Sequence, residues 1–241
     1  MTRLRLVILL TTLVCLPTSS CASQPLILSA QTFNPAQILP APPADDSDEA
    51  IAERAYIKSA YTKATPEQRE AAKRDAVNES VVLFAETIPG FDLERLPATR
   101  ALFYTVRANE RLQTGLFKRY FNRQRPYQVD ISITPCQPPK RFDINASDPS
   151  GHTTMAFSSA IILADLLPDY APAILQRAEQ YGQHRIICGA HHPFDVRSGQ
   201  VLGTLIGVTL LKSFALQPAL EAARKELSQA IPKPATPDSR P

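Results

Sequence analysis

The chain has 241 residues, 44% hydrophobic and 20% charged, enough to bury one core and unlike a disordered or collagen-like composition. Its formal charge of +3 includes Arg3 and Arg5 in a segment expected to be removed. Without those two arginines the balance is nearly neutral, which speaks against nucleic acid as a partner.

Residues 1–22 read as an export signal. Arg3 and Arg5 form a short basic region, Leu6 to Leu16 an apolar one, and small residues follow through Ala22, where cleavage is expected. The apolar run is too short to span a bilayer. Cys21 as a lipid-modified first residue is the alternative, and Pro17 and Thr18 make a poor lipobox for it. The destination is the periplasm or the medium. There, Cys136 and Cys188 remain as an even pair in an oxidising compartment, and a disulfide and two separate buried thiols both stay open.

Residues 23–46 are proline-rich and predict an extended arm, not a helix. Asp48 to Ala60 reads as a helix. Thr65-Pro66-Glu67-Gln68 combines a threonine cap, a proline at the first position and a glutamine that closes a capping box. That helix is expected to reach about Glu86, ahead of Pro89-Gly90. A third helix opens at Leu96-Pro97 and extends to about Tyr120. Residues 125–145 are irregular because of their prolines, with strand signals only at Val129 to Ile133.

Met155 to Leu167 is a largely apolar helix stopped by Pro168. Pro172 starts a helix ending near Gly189, and another follows Pro193 with an apolar run from Val201 to Leu211. Both apolar stretches are shorter than a membrane span. Pro218 opens a last helix through Ala230, and residues 231–241 form a proline-containing tail expected to be disordered. The expected fold is all-α, one helical-bundle domain over residues 47–230.

All four histidines fall in two short segments. His152 follows Pro149-Ser150-Gly151; His184, His191 and His192 lie near Arg185 and Asp195. With Lys118 and Arg125-Pro126 upstream, these segments offer three cations, two histidines, a serine, a glycine and one carboxylate. That set suits a phosphate ester. Lys118, Arg125 and Arg185 would neutralise non-bridging oxygens. Ser150 and the Gly151 backbone N–H would add donors at a helix start. His191 would attack phosphorus, with Asp195 holding its other ring nitrogen, and His152 would protonate the leaving oxygen. A metal site at His184, His191 and His192 lacks accompanying acidic or cysteine ligands.

The three segments resemble the tripartite signature of the type 2 phosphatidic acid phosphatase superfamily, K-x6-R-P, P-S-G-H and S-R-x5-H-x3-D. Within it the chain is similar to the secreted class A bacterial nonspecific acid phosphatases. The likeness extends to the Leu39-Pro40-Ala41-Pro42-Pro43 arm, Gly182-Gln183, Ile187-Cys188-Gly189 and Gln217-Pro218. It implies an all-α hydrolase that needs no metal or other cofactor and works through a phosphohistidine. It implies Lys118, Arg125, Ser150, Gly151 and Arg185 as phosphate ligands and His191, His152 and Asp195 as catalytic groups. It also implies an acidic optimum and small phosphomonoester substrates such as nucleotides, sugar phosphates and aryl phosphates.

A vanadate-dependent haloperoxidase shares such a pocket and is one competing reading; a non-catalytic phosphate-binding protein is the other. Assembly into a homo-oligomer stays open. Two positions depart from the family. His184 stands where it has a serine, and Asp148 where class A enzymes usually carry an aromatic residue. A carboxylate at 148 is expected to weaken phosphate binding and to raise the pKa of His152.

Overall fold

The structure is a computed structural model, described over residues 26–138 and 144–234. The proposed signal segment, the first three residues of the arm and the end of the tail lie outside that range. Among the described residues the chain is helical, with no strand.

Residues 26–46 pack back on the domain. They include a one-turn helix, α1 (Pro35–Ile38), capped by Asn34, which corrects the helix-free reading of this segment. The Ile27 and Leu28 amides both donate to Asn109 Oδ1 at 2.7 Å, and Gln113 Nε2 donates to Ser29 O at 2.7 Å. Two polar side chains buried on a long helix thus hold the arm.

Ser47 caps α2 (Asp48–Lys63), and the Thr65–Gln68 capping box opens α3 (Pro66–Val77). α3 stops about nine residues before the expected Glu86. Ser80 Oγ accepts the Val82 amide at 3.3 Å and caps a short 3-10 turn, Val81–Phe84. A local side-chain bond of this kind competes with continued helix. Tyr181 also donates its hydroxyl to Asn78 O, pinning the break.

α4 (Pro97–Phe121) is closed by Asn122 in the left-handed region (φ 48°), and α5 (Pro126–Val129) is one turn. The strand signal at Val129–Ile133 does not become a strand. Asp130 Oδ1 accepts the Ser132 amide (2.9 Å) and hydroxyl (2.6 Å), bending the chain there.

The last four helices are α6 (Gly151–Leu166), α7 (Ala171–Ile187), α8 (Pro193–Leu211) and α9 (Gln217–Ala230), with a 3-10 turn at Pro168–Tyr170 between α6 and α7. α6 is central: α7 and α8 flank it, and α4 packs on both α6 and α9. Phe117, Leu102, Met155, Ile162, Tyr181, Leu202, Ile206 and Leu227 share one buried core.

α6 and α8 come unusually close because α8 carries Gly199, Gly203 and Gly207 on one face. A Cβ at Gly203 would sit 2.5 Å from Thr154 O, and one at Gly199 would sit 2.8 Å from Ser150 O. This seam sets the start of α8 beside the start of α6, and so brings the two histidine segments together.

Candidate phosphate site

The site is assembled from helix ends. α7 terminates in a Schellman arrangement: Gly189 adopts φ +60°, its amide donates to Ile186 O (2.9 Å), and the Ala190 amide donates to Arg185 O (3.1 Å). The turn leaves Arg185 in the last turn of α7 and reverses the chain into His191. The structure joins Cys136 to Cys188 by a disulfide, and the Cys136 amide donates to Cys188 O at 3.0 Å. Residues 135–138 are thereby held against the end of α7.

His192 is the N-cap of α8, Pro193 its first residue and Asp195 its third. Asp195 Oδ2 accepts the His192 amide at 2.9 Å, so the carboxylate is also a helix cap and lies at the favourable end of the helix dipole. Its remaining partners are dense: Arg123 Nη1 at 2.8 Å, Ser147 Oγ at 2.5 Å and His192 Nδ1 at 3.2 Å, with His191 Nδ1 farther off at 3.5 Å. Burial alone would raise its pKa. The nearby His191 and His192 rings and the charge of Arg123 outweigh burial and hold it well below the carboxylate range.

Arg125 Nη1 donates to Ala190 O at 3.0 Å and lies 3.1 Å from His191 Nε2. A guanidinium can only donate, so Nε2 presents its lone pair and Nδ1 carries the proton toward Asp195. This is the tautomer a nitrogen nucleophile at Nε2 requires. Burial, then the charge of Arg125, pushes the His191 pKa well down.

His152 sits on the second residue of α6. Its Nε2 is 3.2 Å from Ala76 O, which accepts its proton, and its Nδ1 is 3.6 Å from Glu79 Oε1. Tyr181 stacks on the ring at 5.8 Å between centroids. Burial lowers the His152 pKa well below its usual value, followed by the charges of Arg185 and His191.

A cavity of about 70 Å³ is lined by Arg125, His152, Arg185 and Ala190 together with Tyr127, Cys188 and residues 135–138. Arg185 Nε and Nη1 are buried with no hydrogen-bond partner, and burial lowers that guanidinium to about 10. Lys118 Nζ donates to the Ala146 and Ser147 carbonyls, near the start of α6. The Ser150 amide is already committed to Asp195 O at 2.9 Å. What Ser150 can still offer is its hydroxyl hydrogen, because the oxygen accepts from Thr153 Oγ1 (2.9 Å). Gly151 is the first residue of α6, so its N–H has no intrahelical acceptor.

The departures fall outside the cavity. His184 Nδ1 lies 2.6 Å from Asp75 Oδ2, and Arg177 forks onto the same carboxylate at 2.7 and 3.0 Å, tying α7 to α3. Asp148 is fully buried, and neither of its oxygens has a hydrogen-bond partner. Burial, then the charge of Asp195, raises its pKa to about 7, against smaller opposing effects of Ser198, Arg123 and Lys118. Asp148 is not among the principal groups acting on His152, whose pKa falls overall against the upward shift expected from a neighbouring carboxylate.

Three residues of the site had no signal in the sequence. Arg123 looks like part of a solvated basic segment, yet it is buried between Asp195 and Glu53 (Nη2 to Oε2 2.7 Å). Glu53 also accepts the Phe194 amide at 2.6 Å. Glu79 completes the surroundings of His152. Among the described residues no cluster of three or more histidine, cysteine or acidic side chains is arranged to hold a metal ion.

Arg125, Arg185 and His152 line this cavity, and His191 lies behind it against Arg125. The chain carries a PAP2 superfamily domain, whose family model matches residues 98–217. Its relatives are more specific. It is 29% identical to the non-specific acid phosphatase of Salmonella typhimurium, over 92% of each chain. It is 38% identical to an acid phosphatase of Zymomonas mobilis, over 61% of this chain and little more than half, 56%, of that protein. In fold it is similar to the crystal structure of a transmembrane PAP2-type phosphatidylglycerolphosphate phosphatase from Bacillus subtilis (TM-score 0.52, 20% identity, 73% of this chain and 89% of that one). Here no helix among the described residues is long and apolar enough to cross a membrane.

Proposed function

We propose that the protein hydrolyses phosphate monoesters at this cavity, through a phosphohistidine on His191 and without a metal ion. The observation that carries the reading is Arg185: a buried guanidinium with two unpartnered N–H groups, on the wall of a cavity shared with Arg125 and His152. Such a group is costly unless an anion completes it. The PAP2 match and the acid phosphatase relatives support the same chemistry.

The steps follow from the tautomers. A phosphate dianion accepts from Arg125, Arg185, Lys118 and the N-terminus of α6, drawing Arg125 off His191 and freeing Nε2. Nε2 attacks phosphorus and the ester P–O bond breaks. Asp195 keeps the Nδ1 proton in place and stabilises the cationic ring. The leaving oxygen takes a proton from His152 Nδ1. Water then attacks the phosphohistidine, gives its proton to His152, and the N–P bond breaks to release phosphate.

His152 is neutral in the empty site because burial and cations disfavour its charge. The arriving dianion reverses that electrostatic balance, so the general acid becomes charged only when substrate is bound. We further place the protein outside the cytoplasm. The N-terminal segment supports this, as does the Cys136–Cys188 disulfide, a bond that persists in oxidising compartments.

Hydrolysis of p-nitrophenyl phosphate across acidic to neutral pH, with EDTA, is the test. Turnover that resists EDTA and disappears in His191→Ala is expected. Wild-type protein that binds phosphate but never turns over would make it a binding protein instead.

A further inference from the structure

Glu79 is unaccounted for by the steps above. It stands in the break after α3, 35% exposed, with one oxygen 3.6 Å from His152 Nδ1. The same oxygen lies 3.7 Å from where a Cβ on Gly151 would be, a point equally far from Lys118 Cε. Glu79 is therefore at the mouth of the phosphate site, not in the scaffold behind it.

It is held there. Arg107 Nη2 pairs with its second oxygen at 2.7 Å, and Arg107 Nη1 is bound by Glu110. Glu110 is buried and also accepts the Thr114 hydroxyl at 2.6 Å. A carboxylate anchored this way cannot swing clear of the site at little cost.

Which side of the site it guards follows from His152. Nε2 donates to Ala76 O, so Nδ1 is the nitrogen left to serve the leaving oxygen. Glu79 faces Nδ1, and hence the group departing from phosphorus. Beyond it opens a cleft of about 290 Å³, lined by Val82, Phe103, Tyr104, Arg107 and Met155 as well as Glu79. This cleft is where the organic part of an ester would lie. Arg107, the arginine paired with Glu79, already has two carboxylates to satisfy, which leaves little positive charge for a third; Arg100 and Arg111 also line the cleft, and Arg100 is paired with Glu94.

Resting on the phosphatase reading, we infer that Glu79 selects the leaving group by charge. Esters whose leaving alcohol is neutral and hydroxyl-bearing are accepted, because Glu79 accepts a hydrogen bond from them. Esters carrying a second anionic group within two or three bonds of the scissile oxygen are rejected by like-charge repulsion. Glu79 does not touch the transferring phosphoryl group; its effect is confined to what is attached to it.

The test is a matched pair of esters, 2-hydroxyethyl phosphate and 2-phosphoglycolate, which differ by a hydroxymethyl against a carboxylate. The readout is the ratio of their kcat/KM values in one protein, in which changes in folding or in His152 acidity cancel. Wild type is expected to favour the neutral ester by more than about tenfold, the order of one close like-charge contact. Glu79→Gln should shrink that ratio about tenfold, and Glu79→Asp should keep most of it. A ratio unchanged in Glu79→Gln, or a wild type that prefers phosphoglycolate, overturns the inference. If wild type turns over neither ester, the phosphatase reading fails separately. The same ratios are then read from calorimetric binding of the two esters, with the same outcomes deciding.

Discussion

His191 and Asp195 are 1% and 0% exposed, whereas His152, at 17%, faces the mouth of the cavity. His191 lies between the Arg125 guanidinium and Asp195, and Asp195 is itself fixed by Arg123, Ser147 and the start of α8. Around His152 the contacts are a carbonyl, a stacked ring and a partly exposed glutamate. The difference matches two jobs. A nucleophile that must keep one tautomer and one direction benefits from a rigid, over-determined setting. An acid that must gain, give and regain a proton needs surroundings that change when substrate arrives.

The sharpest way to break the comparison is His191→Ala. Turnover should fall by about four orders of magnitude, the scale seen when a covalent catalyst is removed, while orthophosphate still binds. Next comes the support beneath it. Arg123→Met leaves Asp195 and Glu53 buried without their shared cation, and should cost about 3–5 kcal/mol of stability in thermal or urea unfolding. An exposed arginine would be worth far less.

On the open side, His152→Ala should cost alkyl phosphates about a hundredfold or more in kcat/KM, which reports the step that forms the phosphohistidine. The kcat/KM loss on p-nitrophenyl phosphate should be much smaller, because that leaving group departs without a proton. Equal losses on both substrates would mean that His152 is not the acid. The α6–α8 seam comes next. Gly203→Ala drives a methyl into Thr154 O at 2.5 Å and should cost about 1–3 kcal/mol, read as a lower Tm.

The narrowest effect is confined to a pH window. The Asp148 carboxyl keeps its proton to about 7 in the fold but loses it near its ordinary value of about 4 when unfolded. Its contribution to stability is thus full in acid and is lost as pH rises from about 4 through about 7. Asp148→Asn should remove that part of the slope, at most about 1.4 kcal/mol per pH unit. Superimposable Tm–pH curves for the two proteins would show that the fold does not hold Asp148 protonated.

The sequence was most legible where the chemistry is local. The Thr65 and Pro193 helix starts, the stop at Gly189, and the spacing of Arg185, His191 and Asp195 all depend on neighbours a few residues away. Lys118, Arg125 and Arg185 are legible as cations, and the fold puts Arg125 and Arg185 on the wall of one cavity. Arg123 was not legible, because its burial is decided by Glu53 and Asp195, 70 and 72 residues away. Glu79 was hidden behind the expected continuation of α3 to Glu86; only the Ser80 cap and the Tyr181–Asn78 bond reveal that the chain breaks there. Asp148 was legible only as a neighbour of Ser150 and His152 in sequence; its burial, away from the lining of the cavity, depends on the fold. Gly199, Gly203 and Gly207, at intervals of four, were the one unused signal of close helix packing.

The most direct test of the central claim, that His191 carries the phosphoryl group, is a rapid-quench trap. The protein is mixed with phosphate-labelled phenyl phosphate, quenched in base to preserve phosphoramidates, digested and mapped by mass spectrometry. Expected is an acid-labile phosphate on the peptide containing His191, absent from His191→Ala and accumulating in His152→Ala if hydrolysis of the intermediate is slowed. Turnover with no trapped phosphate in either active protein, or label on His192 or His184 in its place, would contradict the account.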